Sequence, residues 1–186
     1  SPEEISKRLK ASPQIKAVFT TLCETSTGVD NDIRAIAATV KETSAVLVVD
    51  AISGLGAVDL KTDAWGVDVV VAGSQKGLML PPGLGFICLS AKAWKLVEVS
   101  KSSRYYLDLR KAKKALDKND TPFTSSITLV IALNEALKIM QQDGLENIFK
   151  RHRSMADATR AAIRALGLEL FAPAAASDGV TAAKVP

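Results

Sequence analysis

Apolar positions along the chain follow two patterns. Short unbroken or β-branched runs at 15–22, 45–49, 67–72 and 85–89 read as strands. The runs at 45–49 and 67–72 have the continuous apolar character of strands buried on both faces, so helices are expected on both sides of the sheet. Other stretches have helical spacing. A helix ends over 5–11, and Ile33, Ile36, Ala37 and Val40 repeat at helical intervals behind Asp30-Asn31-Asp32, a run of capping side chains. A short helical piece falls near 62–65. Strand, helix and strand in this order imply parallel pairing, which places any ligand site at the carboxyl ends of the strands. Three such ends, Cys23 to Gly28, Asp50 to Ser53 and Gly73 to Lys76, are rich in polar and small residues.

The second half reads as helical, with segments over 92–102, 107–116 and 125–142. In the last, Ile127, Val130, Ile131, Leu133, Leu137 and Met140 form an apolar face that Asp143-Gly144 interrupts. A further helix runs to about Leu166, a strand covers 168–171, and 173–182 has loop composition. Ala183-Lys184-Val185-Pro186 reads as the start of another strand. The break at Asp143-Gly144 divides the chain into a part of a large α/β domain, 1–143, and a connecting helix with the beginning of a smaller domain, 144–186.

Composition narrows the chemistry. A hydrophobic content of 47% with 24% charged residues is that of a globular chain. No apolar stretch approaches the roughly 20 residues that cross a bilayer, so no membrane partner is expected. The net charge of +4 is modest, and its one local cluster, Lys150-Arg151-His152-Arg153, reads as a solvated helix face rather than a nucleic-acid site. Cys23 and Cys88 are far apart with no second Cys or His near either, which fits a reducing cytoplasm and argues against a metal site. With one histidine, His152, the chain has little material for a Ser-His-Asp triad. A polar start without an initiator Met leads us to expect a processed or partial chain without a signal peptide.

Lys76 follows the tip of an apolar strand among glycines and prolines, and Asp50 ends the preceding strand. A nucleophilic lysine needs surroundings that free its amine of a proton, and partial burial or a nearby cation does this. A carboxylate deep in a site is what a pyridine ring requires to keep its nitrogen protonated. An exposed loop lysine and a capping aspartate are the bland readings of the same two residues.

Several segments carry a family resemblance. Val48-Val49-Asp50-Ala51-Ile52-Ser53-Gly54-Leu55-Gly56, Asp63-Ala64-Trp65-Gly66-Val67-Asp68, Gly73-Ser74-Gln75-Lys76-Gly77-Leu78 and Pro81-Pro82-Gly83-Leu84 resemble the core of class V aminotransferases. The alanine–glyoxylate and serine–glyoxylate branch is the nearest in pattern. Glu24 to Gly28 upstream, and Thr121-Pro122-Phe123-Thr124, Gly144 to Asn147 and Arg151-His152-Arg153 downstream, fit in the same order. The resemblance implies the fold type I large domain of pyridoxal-phosphate enzymes: a three-layer αβα with a mainly parallel sheet, followed by the start of a small α+β domain.

It also implies roles. Lys76 would be the Schiff-base lysine and proton shuttle, Asp50 the partner of the pyridine nitrogen, and Ile52 the packing against one ring face. Thr25 would donate to the ring hydroxyl and Gln75 would reach the phosphate of pyridoxal 5'-phosphate, with Ser74 either contacting that phosphate or bracing a residue that does. Thr124 and Thr121 would contact the cofactor of a neighbouring subunit in a homodimer, although relatives often carry a tyrosine where Thr121 stands. Substrates would be a small amino acid, alanine or serine, and a 2-oxo acid such as glyoxylate or pyruvate. The family's phosphate cradle, stacking aromatic and carboxylate-binding arginine have no counterpart in this sequence.

Three other readings compete. A cysteine desulfurase or related lyase would carry a histidine before the lysine and a later nucleophilic cysteine, where this sequence has Gln75 and none after Cys88. A non-catalytic partner subunit could keep the fold, since some relatives bear the name of a soluble hydrogenase subunit, yet both Lys76 and Asp50 are retained. A dinucleotide binder is suggested by Gly54-Leu55-Gly56, but Ala57-Val58-Asp59 follows where the fingerprint needs a third glycine.

Overall fold

The unbroken apolar runs become the middle of one sheet. The structure, a computed structural model, describes residues 1–185. In chain order its elements are α1 (Pro2–Ala11), β1 (Ala17–Thr21), β2 (Cys23–Glu24), β3 (Val29–Asp30), α2 (Ile33–Lys41), β4 (Val46–Asp50), α3 (Thr62–Trp65), β5 (Val69–Gly73) and β6 (Gly85–Leu89). Helices α4 (Ala91–Val99), α5 (Leu109–Leu116), α6 (Ile127–Asp143) and α7 (Leu145–Ala165) follow, then β7 (Glu169–Leu170) and β8 (Ala183–Lys184). The main sheet has the order β1-β4-β5-β6. Its first three strands are parallel, and β6 returns antiparallel to β5. The expected α/β class and mainly parallel sheet are therefore present.

Helix α2 shows why these elements form. Asp32 caps it by accepting the Ala35 N–H at 2.9 Å. Its buried Ile33, Ile36, Ala37 and Val40 join Leu47, Val49 and Val70 of the sheet in the main core. The cap is worth about 1 kcal/mol and each large aliphatic side chain roughly 1.5–3 kcal/mol when buried. Burial, more than capping, places the helix. At the other end of the strands the buried Asp68 carboxylate accepts from the Leu47 N–H at 3.0 Å and the Ser90 hydroxyl at 2.7 Å, tying β4 to the start of α4.

Among the described residues, helices cover one face of this sheet. Strand register puts Phe19, Val48 and Val69 in one row, and Thr21, Asp50, Val71 and Ile87 in the next, on the face opposite to the core. Phe19 is 77% exposed and Ile87 45%. Helices α6 and α7 pack instead around the β5–β6 connection, where Leu78, Met140 and Ile148 form a second core with Phe86 and Leu133. The apolar face expected on α6 is mostly outside that core: Ala136 and Met140 are buried, whereas Ile127, Val130, Ile131 and Leu137 are exposed.

Two further departures bear on the site. The stretch from Cys23, expected as a polar loop, is a two-stranded hairpin in which Cys23 pairs with Asp30 and Glu24 with Val29. The loop after β7 runs back to this hairpin: Ala176 bridges Val29, and the Ser177 N–H donates to the Gly28 carbonyl at 2.8 Å. The strand expected from Ala183 pairs with β7 through Ala183 and Lys184, while Pro186 lies outside the described residues. Among the described residues no helix is long and apolar enough to cross a membrane.

Candidate active site

The carboxyl ends of β1, β4 and β5 are stitched together by backbone. The Leu22 N–H donates to the Asp50 carbonyl at 2.7 Å, and the Ala51 N–H to the Val71 carbonyl at 2.8 Å. Beyond Asp50 the chain turns sharply. The Asp50 carboxylate accepts the Ile52 N–H through Oδ1 at 2.9 Å, and the Leu55 N–H returns to the Ala51 carbonyl at 2.8 Å. Register places Asp50 between Thr21 and Val71 on the open sheet face, half-buried. Its Oδ2 accepts no protein hydrogen bond among the described residues.

Lys76 lies in the loop after β5, and glycine is what brings that loop against the first. A Cβ on Gly77 would stand 2.2 Å from the Leu55 carbonyl oxygen. Gly56, at φ +86°, would bring a Cβ to 3.0 Å from the Gly77 carbonyl. The two backbones cross with no side chain between them, which only glycines allow. The Lys76 loop is thereby pressed onto residues 53–57.

Ser53, Ala57 and Lys76 line one side of a cleft of about 480 Å³, with Met140, Ile148 and His152 opposite. Lys76 is exposed rather than partly buried, and its amine makes no ion pair or hydrogen bond among the described residues. Arg151, also on the cleft, is ion-paired with Asp143 at 3.1 Å. The cleft rim thus carries Lys76, His152 and the Arg151–Asp143 ion pair. Lys150, Arg151 and Arg153 are exposed, as a solvated helix face implies. His152 is half-buried, four residues after the buried Ile148 and on the same side of α7, a helical spacing that could have revealed it.

The other expected contacts fall in different places. Thr25, exposed at the hairpin turn, shares a 2.6 Å hydrogen bond with the Ser53 hydroxyl. Ser53, a residue that sequence reasoning missed, therefore links the hairpin to the cleft. Ile52 is half-buried at the Asp50 turn. Gln75 is exposed and folds over Gly73, where a Cβ would meet its Oε1 at 2.8 Å. Ser74 lies beneath the loop: it is 0% exposed, and its hydroxyl donates to the Pro81 carbonyl at 2.7 Å while accepting the Leu84 N–H at 3.2 Å. Its capacity goes into bracing the Lys76 loop. Thr121 and Thr124 are exposed and do not line this cleft; the Thr121 hydroxyl donates to the Phe123 carbonyl at 2.7 Å. Phe123 itself packs against Tyr106, ring centroids 4.8 Å apart.

Behind the hairpin, burial pushes the Cys23 thiol above its ordinary value, and a hydrogen bond with Ser177 only partly offsets this. Burial likewise raises the Asp30 carboxyl. A buried thiol held protonated is a poor nucleophile.

The chain as a whole resembles known proteins. The family model described as Aminotransferase class-V matches residues 2–185. The soluble hydrogenase 42 kDa subunit of Anabaena cylindrica is 49% identical over 189 residues, covering 100% of this chain and 49% of its own length. The serine–glyoxylate aminotransferase of Methylorubrum extorquens is 41% identical over 196 residues, again covering 100% of this chain and 49% of the relative. Among solved structures, an alanine–glyoxylate aminotransferase from Nostoc sp. superposes with a TM-score of 0.93 at 28% identity, over 100% of this chain and 50% of that one. The chain spans about half the length of the curated relatives it matches.

Proposed function

The chain belongs to the class-V aminotransferases, and from that premise we propose that the protein moves the amino group of alanine or serine to a 2-oxo acid such as glyoxylate or pyruvate. The observation that carries this reading is the Lys76 amine, unpaired among the described residues and set in a cleft by the crossing of Gly56 and Gly77. The donor set fits pyridoxal 5'-phosphate: a primary amine, a strand-end carboxylate with one oxygen uncommitted, and a backbone crossing that a Cβ would block. When bound, that group supplies an aldehyde for an amine to hold and a ring that draws off charge developing at the Cα of an amino acid.

The chain's own residues divide the remaining work. Lys76 holds the cofactor and, once released from it, carries a proton to and from the substrate Cα. Asp50, its Oδ1 fixed by the Ile52 N–H, offers Oδ2 to a protonated ring nitrogen. Thr25 and Gln75 bind its oxygens, and Ile52 packs on the ring. Thr121 and Thr124, which do not line their own chain's cleft, serve a second copy in a homodimer with shared sites. The setting is a reducing cytoplasm.

The name of the Anabaena relative favours a second reading, a partner subunit that keeps the fold. Retention of both Lys76 and Asp50 speaks for catalysis. The test is borohydride reduction of the full-length protein loaded with pyridoxal phosphate, followed by peptide mapping. A pyridoxyl group on Lys76 is expected, and its absence overturns the proposal. A panel of alanine, serine and phosphoserine against glyoxylate, pyruvate and 2-oxoglutarate then identifies the substrates. Turnover by none of these pairs, with the cofactor fixed on Lys76, favours the partner-subunit reading.

A further inference from the structure

Ser177 has no part in the function proposed above, yet it is 0% exposed at a junction of several segments. Its N–H donates to the Gly28 carbonyl at 2.8 Å. Its hydroxyl accepts the Cys23 thiol at 3.2 Å and the Gly179 N–H at 3.0 Å. Its carbonyl accepts from Arg160 at 3.0 Å, and the same guanidinium is held by Asp157 at 2.8 Å and Asp178 at 3.0 Å. The segment around Ser177 is therefore fixed to α7 on one side and to the β2–β3 hairpin on the other.

The same segment grips both partners of the Thr25–Ser53 hydrogen bond. On the Thr25 side, Gly28 closes the hairpin turn by donating its N–H to the Glu24 carbonyl at 2.8 Å, and a Cβ on Gly28 would stand 2.9 Å from the Ala182 nitrogen. On the Ser53 side, a Cβ on Gly179 would stand 3.2 Å from the Ala57 Cβ and 3.6 Å from the Ser53 carbonyl oxygen. Thr25 and Ser53 sit on separate loops, and a hydroxyl pair at 2.6 Å tolerates only a few tenths of an ångström of relative movement. Ser177 joins the two clamps.

Resting on the cofactor reading above, we propose that Ser177 is a positioning residue for the cofactor, acting through Thr25 and Ser53. A buried polar junction of this kind specifies one arrangement because each unmet partner is costly. Losing the Ser177 hydroxyl frees the Cys23 thiol and the Gly179 N–H together, so the turn bearing Thr25 and the wall bearing Ser53 lose their common anchor.

The test is a double-mutant cycle on the full-length protein, read as the dissociation constant for pyridoxal phosphate added to the apoprotein. Ser177→Ala and Thr25→Val are each expected to weaken binding roughly threefold to tenfold. The double variant should lose less than the sum of the two single losses, because the part of the Ser177 effect that runs through Thr25 can be lost only once. Additive losses, or an unchanged constant in Ser177→Ala, overturn the role of Ser177. Should Ser177→Ala fail to fold, Cys23→Ala removes one partner and leaves the hydroxyl; it is expected to weaken binding in the same direction, and an unchanged constant overturns the proposal. Failure of the wild-type protein to take up pyridoxal phosphate overturns the cofactor reading and this inference with it, whereas uptake with additive losses sinks this inference alone.

Discussion

Gly77 and Leu55 meet backbone to backbone, with the Leu55 carbonyl oxygen 2.2 Å from where a Cβ on Gly77 would stand. That contact joins the Lys76 loop to the turn after Asp50, so the two proposed cofactor residues share one rigid crossing. It fixes the backbone that carries the exposed Lys76.

Gly77→Ala must push the two loops apart, since the colliding atom is backbone and cannot rotate away. The expected cost is about 1–3 kcal/mol of stability, as for other overpacked sites. Uptake of pyridoxal phosphate should fall more than stability alone explains, because Lys76 moves relative to Asp50. Urea unfolding and cofactor titration on the same samples check this, and full uptake in a destabilised variant would refute the positional argument.

Asp50→Asn separates charge from shape. The side-chain carbonyl of asparagine can still accept the Ile52 N–H that Asp50 accepts at 2.9 Å, so the turn should persist and the melting temperature should change little. What is lost is the negative charge offered to a protonated ring nitrogen. Weak cofactor binding and slow turnover are expected, and normal rates in the transamination assay would contradict the assigned contact.

Much of this was legible in the sequence. The runs 45–49 and 67–72 read as buried strands because they are short, apolar and bounded by polar loops, the structure has strands at Val46–Asp50 and Val69–Gly73, and strand topology puts Asp50 and Lys76 at one edge. Ser177 was not legible. Its partner Cys23 lies 154 positions away, and nothing local distinguishes a serine in an Ala-, Ser- and Asp-rich loop. The role of Gly77 was not legible either, because its crossing with Leu55 exists only once both loops are folded. The open sheet face escaped for a different reason. An unbroken apolar strand shows that both faces are apolar, but does not say which segment covers each.

The far wall of the cleft contains two residues of opposite expected cost. Ile148 is 4% exposed and packs with Leu78 and Met140. Ile148→Ala should therefore cost about 2–5 kcal/mol, the range for truncating a buried aliphatic side chain. His152, one turn later and half-buried, belongs to neither core cluster, so His152→Ala should stay within about 0.5 kcal/mol. Urea midpoints measure the contrast, and comparable losses would mean that His152 carries packing as well as lining the cleft.

Asp30 gives the fold a pH dependence whose sign can be worked out. Its carboxyl is raised above the ordinary 3.8 chiefly by burial, with the Ser177 and Cys23 side chains and the Asp178 N–H lowering it in part and the Asp178 charge raising it. Its Oδ1 is buried without a partner. A carboxyl raised on folding keeps its proton in the native state at a pH where the unfolded chain has released it. The folded form then binds more protons, and stability falls as pH rises from the ordinary value through the raised one. Below the ordinary value the favourable contribution is complete. Asp30→Asn removes this titration while keeping the shape, so the variant should gain on the wild type as pH rises. Melting temperatures of both proteins at about pH 4 and about pH 7 test it. Glu3, Glu24 and Glu135, whose carboxyls are lowered, tilt both proteins equally the other way and cancel in the difference. An offset that is the same at both pH values would mean that Asp30 is not protonated on folding, and that the hairpin and the Ser177 segment pack around a carboxylate that stays charged.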